Sequence, residues 1–227
     1  MNLSKRLELI SQLVPENSIV ADVGTDHGYI PIYCVKNNIS PSALAMDINQ
    51  GPLLSAQKNI QKYGLESKIT TRISNGLENL KKGEADVIVI AGMGGLLIMD
   101  IIDRGEDVIT PDTLLILQPM LAVKELREFL YNRGFSVLGE YVCREDNKFY
   151  NVLCVKKEKC KFTSKDIVVG KNISKNSPDV YKDYLEYKLR ILNNIASGMK
   201  KSSSYNEPEL QAVLQDINLY KKEIEQL

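Results

Sequence analysis

The stretch ADVGTDHGY, Ala21 to Tyr29, follows one apolar run and leads into another. It holds two carboxylates, two glycines and the only histidine of the chain. The spacing D-x-G-x-x-x-G at the end of a predicted strand is typical of a nucleotide-binding loop. Gly24 permits a sharp turn, and Gly28 lets a ligand approach the backbone where a helix begins. The stretch therefore predicts a strand, a ligand-binding loop and a helix.

The loop differs from the dinucleotide fingerprint G-x-G-x-x-G, because Asp26 stands where the middle glycine would lie. A carboxylate at that point would repel a pyrophosphate. We therefore expect a nucleoside cofactor that has no pyrophosphate and tolerates nearby acids. The missing fingerprint also disfavours a nicotinamide-dependent oxidoreductase.

Composition limits the class of protein. The 227 residues are 44% hydrophobic and 26% charged, which is typical of one globular domain with an appendage. The formal net charge of zero excludes a uniformly basic coat for nucleic acid, although it permits a local basic patch. The four cysteines form no C-x-x-C pair, and with a single histidine they predict no metal site. Without a signal peptide or an apolar run of membrane-spanning length, we expect a cytoplasmic protein with no membrane partner.

Apolar runs and helical patterns alternate through the first two thirds of the chain. Strands are predicted at 18–23, 43–48, 68–73, 86–91, 113–118, 136–144 and 150–156. Helices are predicted between them at 29–36, 51–63, 94–104 and 123–132. This alternation predicts a parallel sheet covered by helices on both faces. The last two strands are joined only by the polar residues 145–148, so they should form an antiparallel hairpin.

A helical tail follows. The segment 156–175 carries seven lysines and two acids, and it precedes two helices predicted at 178–200 and 208–227. Heptad-like spacing predicts a seam of Tyr181, Leu185, Lys188, Leu192, Ile195 and Met199 against Val213, Ile217, Tyr220, Ile224 and Leu227. The chain thus divides into domains 1–156 and 157–227, the second an antiparallel coiled-coil hairpin. The hairpin is either an RNA-binding arm or a dimerisation device, and we favour a monomer.

Three further signals end predicted strands. Asp47 ends the second strand, where an acid can accept hydrogen bonds from a ribose diol. The polar turn SNGL, Ser74 to Leu77, follows the third strand, and IAGMGG, Ile90 to Gly95, closes the fourth. Because ligands of open α/β sheets bind along the carboxyl edge, these four strand ends predict one binding rim.

The order of these elements resembles the class I methyltransferases that use S-adenosylmethionine. The motifs LSKRL, ADVGTDHGYIP, GPLLSA, IAGMGG and LILQP look like those of the bacterial TrmK family, the tRNA (adenine-22-N1)-methyltransferases. The resemblance implies an α/β, Rossmann-like, seven-stranded and mostly parallel sheet with a C-terminal coiled-coil hairpin. It also implies S-adenosylmethionine as cofactor, tRNA as partner and N1 of an adenine in the D-loop region as target.

The resemblance places cofactor contacts at ten positions: Asp22, Gly24, His27, Gly28, Asp47, Asn75, Gly76, Gly92, Met93 and Gly94. At position 75 many relatives carry aspartate, and Asn75 keeps the acceptor oxygen but not the charge. The residues alone leave simpler roles open. Asp22 and Asp47 could shape their turns, His27 could begin a helix without touching a ligand, and the glycines could serve helix–sheet packing.

Catalytic candidates lie near the first loop. Adenine N1 has a lone pair that can attack the methyl group directly, so alignment is the main requirement. Asp26 could accept the N6 proton or stabilise the cationic product, or it could only cap the next helix. Tyr29 could stack on the adenine or face the core. The amide of Gln118 could read the edge of the base or only terminate a strand. The chain lacks the (D/N)PP(Y/F) motif of amino-group methyltransferases, which argues against N6 methylation.

RNA would need a basic route to the rim. Lys5, Arg6, Arg127 and the lysines of 156–175 are the predicted contacts, with a solvated surface as the simpler alternative. Charge is segregated, because residues 1–155 carry 15 basic and 19 acidic residues, whereas 156–227 carry 14 and 10. This polarity favours the tail as the part that holds phosphates. The remaining alternatives are a methyltransferase of small molecules and a non-catalytic adaptor that binds S-adenosylmethionine.

Overall fold

The computed structural model describes residues 1–201 and 206–227. The strands are β1 (Val20–Val23), β2 (Ala43–Asp47), β3 (Ile69–Ile73), β4 (Val87–Met93), β5 (Leu114–Pro119), β6 (Ser136–Glu145) and β7 (Lys148–Lys156). The helices are α1 (Lys5–Gln12), α2 (Tyr29–Lys36), α3 (Gln50–Lys62), α4 (Gly95–Arg104), α5 (Val123–Asn132), α6 (Ser164–Val168), α7 (Ile173–Asn176), α8 (Pro178–Lys201) and α9 (Glu207–Glu225). Every strand and helix whose bounds the sequence predicts lies within two residues of those bounds.

The strands form one sheet in the order β3-β2-β1-β4-β5-β7-β6. The first five are parallel, and β7 runs antiparallel to both of its neighbours. Asp146 and Asn147 turn the hairpin with positive φ values of 48° and 61°, as tight two-residue hairpins require. The predicted fold class is therefore confirmed.

Helices cover both faces of the sheet, so the side chains on both sides of its central strands are buried. In β1, Ala21 and Val23 join the apolar cluster beneath α4 and α5, whereas Val20 joins the cluster beneath α1, α2 and α3. The carboxyl ends of the parallel strands remain open between these layers. Candidate ligand-binding turns therefore meet at this edge of the sheet.

The tail is an antiparallel helix pair. The hydroxyl of Tyr181, early in α8, donates to Glu223, late in α9, and Ala196 packs in one cluster with Leu210. The predicted seam is wrong at Ile195 and Leu227, whose side chains are exposed. The first half of α8 also packs on the sheet, so its buried face is broader than a coiled-coil seam. The predicted connection between the helices lies partly outside the described residues.

The lysine-rich segment is structured, which its composition does not predict. Thr163 and Asp166 form a capping box at the start of α6, and Val168, Val169 and Ile173 are buried beneath the tail. β7 ends at Lys156, the residue of the predicted domain boundary. The division into two domains stays a prediction.

Candidate functional site

The loop after β1 is fixed by bonds to the neighbouring strand. The backbone N–H groups of Gly24 and Thr25 both donate to the carbonyl of Met46, each at 2.8 Å. Gly24 has a φ of +75°, and a side chain there would collide with the terminal methyl of Met93. The positive φ therefore favours glycine at this position, and any other residue would also displace the end of the Met93 side chain.

Asp22 is the buried ionisable group of this edge. Its side chain lines a cavity of about 390 Å³ and is 5% exposed. Burial and, to a smaller degree, the neighbouring charge of Asp47 raise the pKa of Asp22, the Thr25 hydroxyl lowers it, and the net result is a pKa of about 6. Among the described residues no cation forms an ion pair with this carboxyl group.

The cavity brings together residues that are distant in sequence. Its walls include Arg6, Asp22, Asp26, Tyr29, Gly92 and Met120. Five of these six residues are site candidates from the sequence, and Met120 is an addition. The cavity lies at the carboxyl ends of β1 and β4, where the topology of the sheet predicts a ligand.

Asp26 and Tyr29 stand at the mouth of the cavity. Asp26 is exposed, and its carboxylate lies 3.4 Å from Nε2 of His27. The rings of His27 and Tyr29 stack with centroids 5.3 Å apart. The N-cap of α2 is Gly28, which receives no side-chain cap, and Tyr29 is exposed. The alternatives that Asp26 caps α2 and that Tyr29 faces the core are therefore wrong.

The turns after β2 and β3 are joined to each other. The backbone N–H of Ser74 donates to the carbonyl of Asp47 at 2.9 Å, and Asp47 Oδ1 accepts from the backbone N–H of Asn49 at 2.7 Å. The Ser74 hydroxyl donates to the carbonyl of Gly76, and the Asn75 amide donates to Glu78. Asp47, Asn75 and Gly76 thus lie on one continuous edge, as the strand order requires.

Gln118 organises the turn after β4. Its Oε1 accepts from the backbone N–H of Gly92 at 3.0 Å and from Arg6 Nη1 at 2.6 Å. Gln118 is fully buried, so the prediction that its amide reads the edge of a base is wrong. It instead holds Gly92, which has a φ of +75°, and aims the guanidinium of Arg6 into the cavity.

Arg6 is also held by residues that the sequence analysis missed. Its guanidinium lies 5.4 Å from the centroid of the Tyr150 ring, and its backbone N–H donates to Glu145. Tyr150 and Glu145 belong to the terminal hairpin, more than 130 residues from Arg6 along the chain. No local pattern could have associated them.

Arg127 was expected on the RNA route, and that prediction is wrong. It is buried, and its guanidinium makes a two-pronged ion pair with Glu140 at 2.9 and 2.6 Å. A further nitrogen donates to the carbonyls of Ile167 and Val168. Burial lowers the pKa of Arg127, but the charge and hydrogen bonds of Glu140, together with Tyr184 and Tyr220, outweigh it and hold the pKa above its ordinary value. This arginine fastens the tail to the sheet.

The first lysines of the tail were also expected on that route. Lys156 pairs with Ser136, the first residue of β6, at the amino edge of the parallel strands. Lys157 pairs with Glu106, and Lys159 lies in the same open cleft. These lysines therefore stand at the edge of the sheet opposite to the cavity, and for them the prediction is wrong. Lys5 lines an open cleft beside the hairpin turn, and its RNA contact stays a prediction.

Residues 1–201 and 206–227 contain no group of three or more His, Cys, Asp or Glu side chains placed to hold a metal ion. Within the same ranges, no helix is both long enough and apolar enough to cross a membrane. The cytoplasmic location stays a prediction.

The geometry of the rim fits a cationic nucleoside cofactor. Asp22 supplies a buried negative charge that the described residues leave without a cationic partner. Gly24 and Gly92 line the cavity without side chains of their own, and Asp47 offers a carboxylate at the next strand end. A ligand with a positive charge and a ribose diol would complement these groups.

Comparison with known proteins agrees with this chemistry. The family described as methyltransferase domain matches residues 3–153. The tRNA (adenine(22)-N(1))-methyltransferase of Bacillus subtilis (strain 168) is 44% identical over 153 residues, which make up 67% of this chain and 64% of that protein. The aligned region thus spans less than two thirds of the length of this relative.

Solved structures extend the similarity over the tail. The crystal structure of the B. subtilis tRNA methyltransferase TrmK is 34% identical, with a TM-score of 0.87 over 98% of this chain and 99% of that chain. A Streptococcus pneumoniae protein in complex with S-adenosyl-L-methionine is 33% identical, with a TM-score of 0.86 over 98% and 100% of the two chains. Sheet, rim and helical tail therefore recur together in these proteins.

Proposed function

The chain belongs to the TrmK family of S-adenosylmethionine-dependent methyltransferases, and we propose that it methylates N1 of the adenine at position 22 of tRNA. The observation that carries the proposal is the cavity in which a buried Asp22 meets the exposed pair of Asp26 and Tyr29. A cation is needed at its floor, and an acid and an aromatic ring are available at its mouth.

The floor and the neighbouring strand ends would hold the cofactor. Asp22 would face positive charge, Asp47 would accept from the ribose, and the turn at Asn75 and Gly76 would border the adenine of the cofactor. Gly24 and Gly92 would allow close backbone contact. S-adenosylmethionine supplies an electrophilic methyl group when it is bound there.

The mouth would receive the target adenine. Tyr29 is exposed and already stacked with His27, so its ring offers a fixed platform for a base. Asp26 would accept the proton that N6 loses after N1 is methylated, or would stabilise the cationic product. Arg6, aimed into the cavity by Gln118, would contact the phosphate backbone beside that adenine.

The distal part of the tail offers a surface for the rest of the tRNA. Arg190 lines a cleft with Asn147 of the hairpin turn, at the carboxyl edge of the sheet. Beyond it α8 continues for eleven residues, about 17 Å at 1.5 Å per residue, and its Ala196 and Met199 pack against α9. Residues 190–201 contain Arg190, Lys200 and Lys201 and no acid, so this segment would bind phosphates.

Methyl transfer from labelled S-adenosylmethionine to two tRNA transcripts tests the proposal. One transcript carries adenine at position 22, and the other carries guanine there. We expect label only on the first, recovered as 1-methyladenosine after digestion. Asp26→Asn and Tyr29→Ala should lower the rate about tenfold or more while cofactor affinity is retained. Cofactor binding without label on either transcript would contradict the proposal and favour a small-molecule substrate.

A further inference from the structure

Four large apolar side chains are exposed beside the cavity. Leu96 and Leu97 begin α4 and are 64% and 48% exposed, and Met120 and Leu121 follow β5 and are 44% and 73% exposed. We call these four residues the leucine lip. Single exposed leucines are ordinary, but exposed apolar side chains gathered at one edge of a site indicate a contact surface.

The lip is held rigidly by backbone contacts. The N–H of Gly95 donates to the carbonyl of Leu121 at 2.9 Å, and the N–H of Met120 donates to the carbonyl of Met93 at 2.8 Å. A Cβ on Gly95 would lie 2.5 Å from the carbonyl oxygen of Ala122. The turns after β4 and β5 therefore form one unit, and the apolar side chains do not depend on a mobile loop.

The position of the lip relates it to the substrate. Met120 lines the cavity, with its sulfur 3.7 Å from Nη1 of Arg6. On the other side, Lys124 at the start of α5 is paired with Asp216 of α9. The lip thus lies between the mouth of the cavity and the point where the helical tail meets the sheet. A macromolecule that spans the cavity and the tail would pass over it.

We propose that the leucine lip is a wedge that packs against the nucleobases next to the target adenine and keeps that adenine turned out of the tRNA. The inference rests on the proposed function. N1 lies on the Watson–Crick edge, so methylation requires the base to leave its pair and its stack. The bases left behind expose apolar faces, and leucine and methionine are residues that proteins insert at such steps. The lip carries no charge, so phosphates do not explain it.

The test uses a double variant, Leu96→Ser/Leu121→Ser, because these are the two most exposed members of the lip and their loss leaves the core intact. The matched control is Leu227→Ser, at the end of the chain, where the leucine is also 64% exposed. Each full-length protein is assayed on a folded tRNA transcript and on a transcript mutated so that position 22 has no pairing partner. A third transcript carries 2-aminopurine next to position 22, and its fluorescence rises when that base loses its stacking.

We expect the lip variant to lose about ten- to hundredfold in kcat/KM on folded tRNA, because the cost of unstacking the adenine is then no longer offset by contacts with the lip. It should lose less than about threefold on the unpaired transcript, and its fluorescence rise should be absent at saturating protein. The control should match the original protein in all three assays.

Equal losses on both transcripts, or an undiminished fluorescence rise, would overturn the wedge. So would a dimer of the original protein that the lip variant dissociates in light scattering, since the lip would then be a contact between two copies. If the original protein methylates neither transcript, the proposed function fails. If it methylates both and the lip variant equals the control, only the wedge fails.

Discussion

The cavity and the junction between the tail and the sheet each bury a charged side chain, and they do so differently. Asp22 lies at the cavity with its pKa raised to about 6, and no described cation pairs with it. Arg127 lies where the tail meets the sheet, and its guanidinium donates hydrogen bonds to Glu140 and to two backbone carbonyls. A buried charge that is paired within the protein has a structural role. A buried charge that the protein leaves uncompensated points to a ligand.

The largest expected effect is the loss of stability when the buried pair of Arg127 and Glu140 is broken. Arg127→Met leaves Glu140 buried without its partner, and breaking such a pair costs about 3–5 kcal/mol. We expect the midpoint of urea unfolding to fall accordingly. The control is Arg133→Met, near the end of the same helix, where an exposed pair with Asp103 and Glu106 is worth less than about 1 kcal/mol.

A double variant sharpens this result. Arg127→Met/Glu140→Gln removes both charges, so it should be less destabilised than Arg127→Met alone. Equal losses in the single and double variants would show that the charge of Glu140 is not the source of the instability.

Asp22→Asn should move stability and binding in opposite directions. Folding raises the pKa of Asp22 from 3.8 to about 6, so the native state binds more protons than the unfolded state in this window, and the free energy of unfolding falls as pH rises through it. Removing the charge should therefore stabilise the ligand-free protein at pH 7 by about 1–3 kcal/mol. Affinity for S-adenosylmethionine, measured by calorimetry, should fall about tenfold or more. A variant that loses both stability and affinity would contradict this account.

The pH dependence of cofactor binding tests the same charge without mutation. If the ionised form of Asp22 binds the cofactor, the Kd should be constant above pH 6 and should rise about tenfold per unit below it. The Asp22→Asn variant should show a flat profile over the same range. A steep profile in that variant would assign the titration to another group.

Gln118→Leu should have a moderate effect, because it leaves the N–H of Gly92 and the guanidinium of Arg6 without their shared acceptor. An unsatisfied buried donor costs about 1–3 kcal/mol of stability. We also expect KM for tRNA to rise severalfold as Arg6 loses its orientation. Gln57→Leu, which removes an exposed hydrogen bond to Thr71, is the control and should change neither quantity.

The smallest effect concerns the lysines at the amino edge of the sheet. Lys157→Ser/Lys159→Ser should change tRNA affinity by less than about twofold, because these side chains lie opposite to the cavity. Lys200→Ser/Lys201→Ser removes the same charge from the distal tail and should weaken binding several times more, as measured by filter binding at fixed salt. Equal losses would contradict the assignment of the distal tail to RNA.

Much of the fold could be predicted from the sequence because its determinants are local. The apolar runs, the glycine turns and the hairpin turn at Asp146 and Asn147 each lie within a few neighbouring residues. The rim followed from topology, since the carboxyl ends of parallel strands meet at one edge. Asp22, Asp26, Tyr29 and Gly92 therefore meet in one cavity, as the sequence predicts.

The errors concern residues whose partners are distant in the chain. The sequence of its helix suggests that Arg127 is solvent-accessible. In the structure, Glu140 and the carbonyls of α6 surround it. Gln118 can only be recognised as an internal acceptor when Arg6 is known to lie beside it. Lys156 lies away from the cavity because β7 runs antiparallel to β5 and therefore ends at the amino edge of the parallel strands. Charge and residue type identify candidates, but tertiary contacts decide whether a side chain faces a ligand.

The most direct test of the difference between the unpaired Asp22 and the paired Arg127 is the pKa of Asp22 itself. It can be followed through the side-chain carboxyl ¹³C resonance in the protein with and without S-adenosylmethionine. We expect the resonance to titrate near pH 6 in the free protein and to move below pH 4 when the cofactor is bound. A pKa near 6 in both states would mean that the cofactor does not complete the buried charge, and Asp22 would then not mark the binding site.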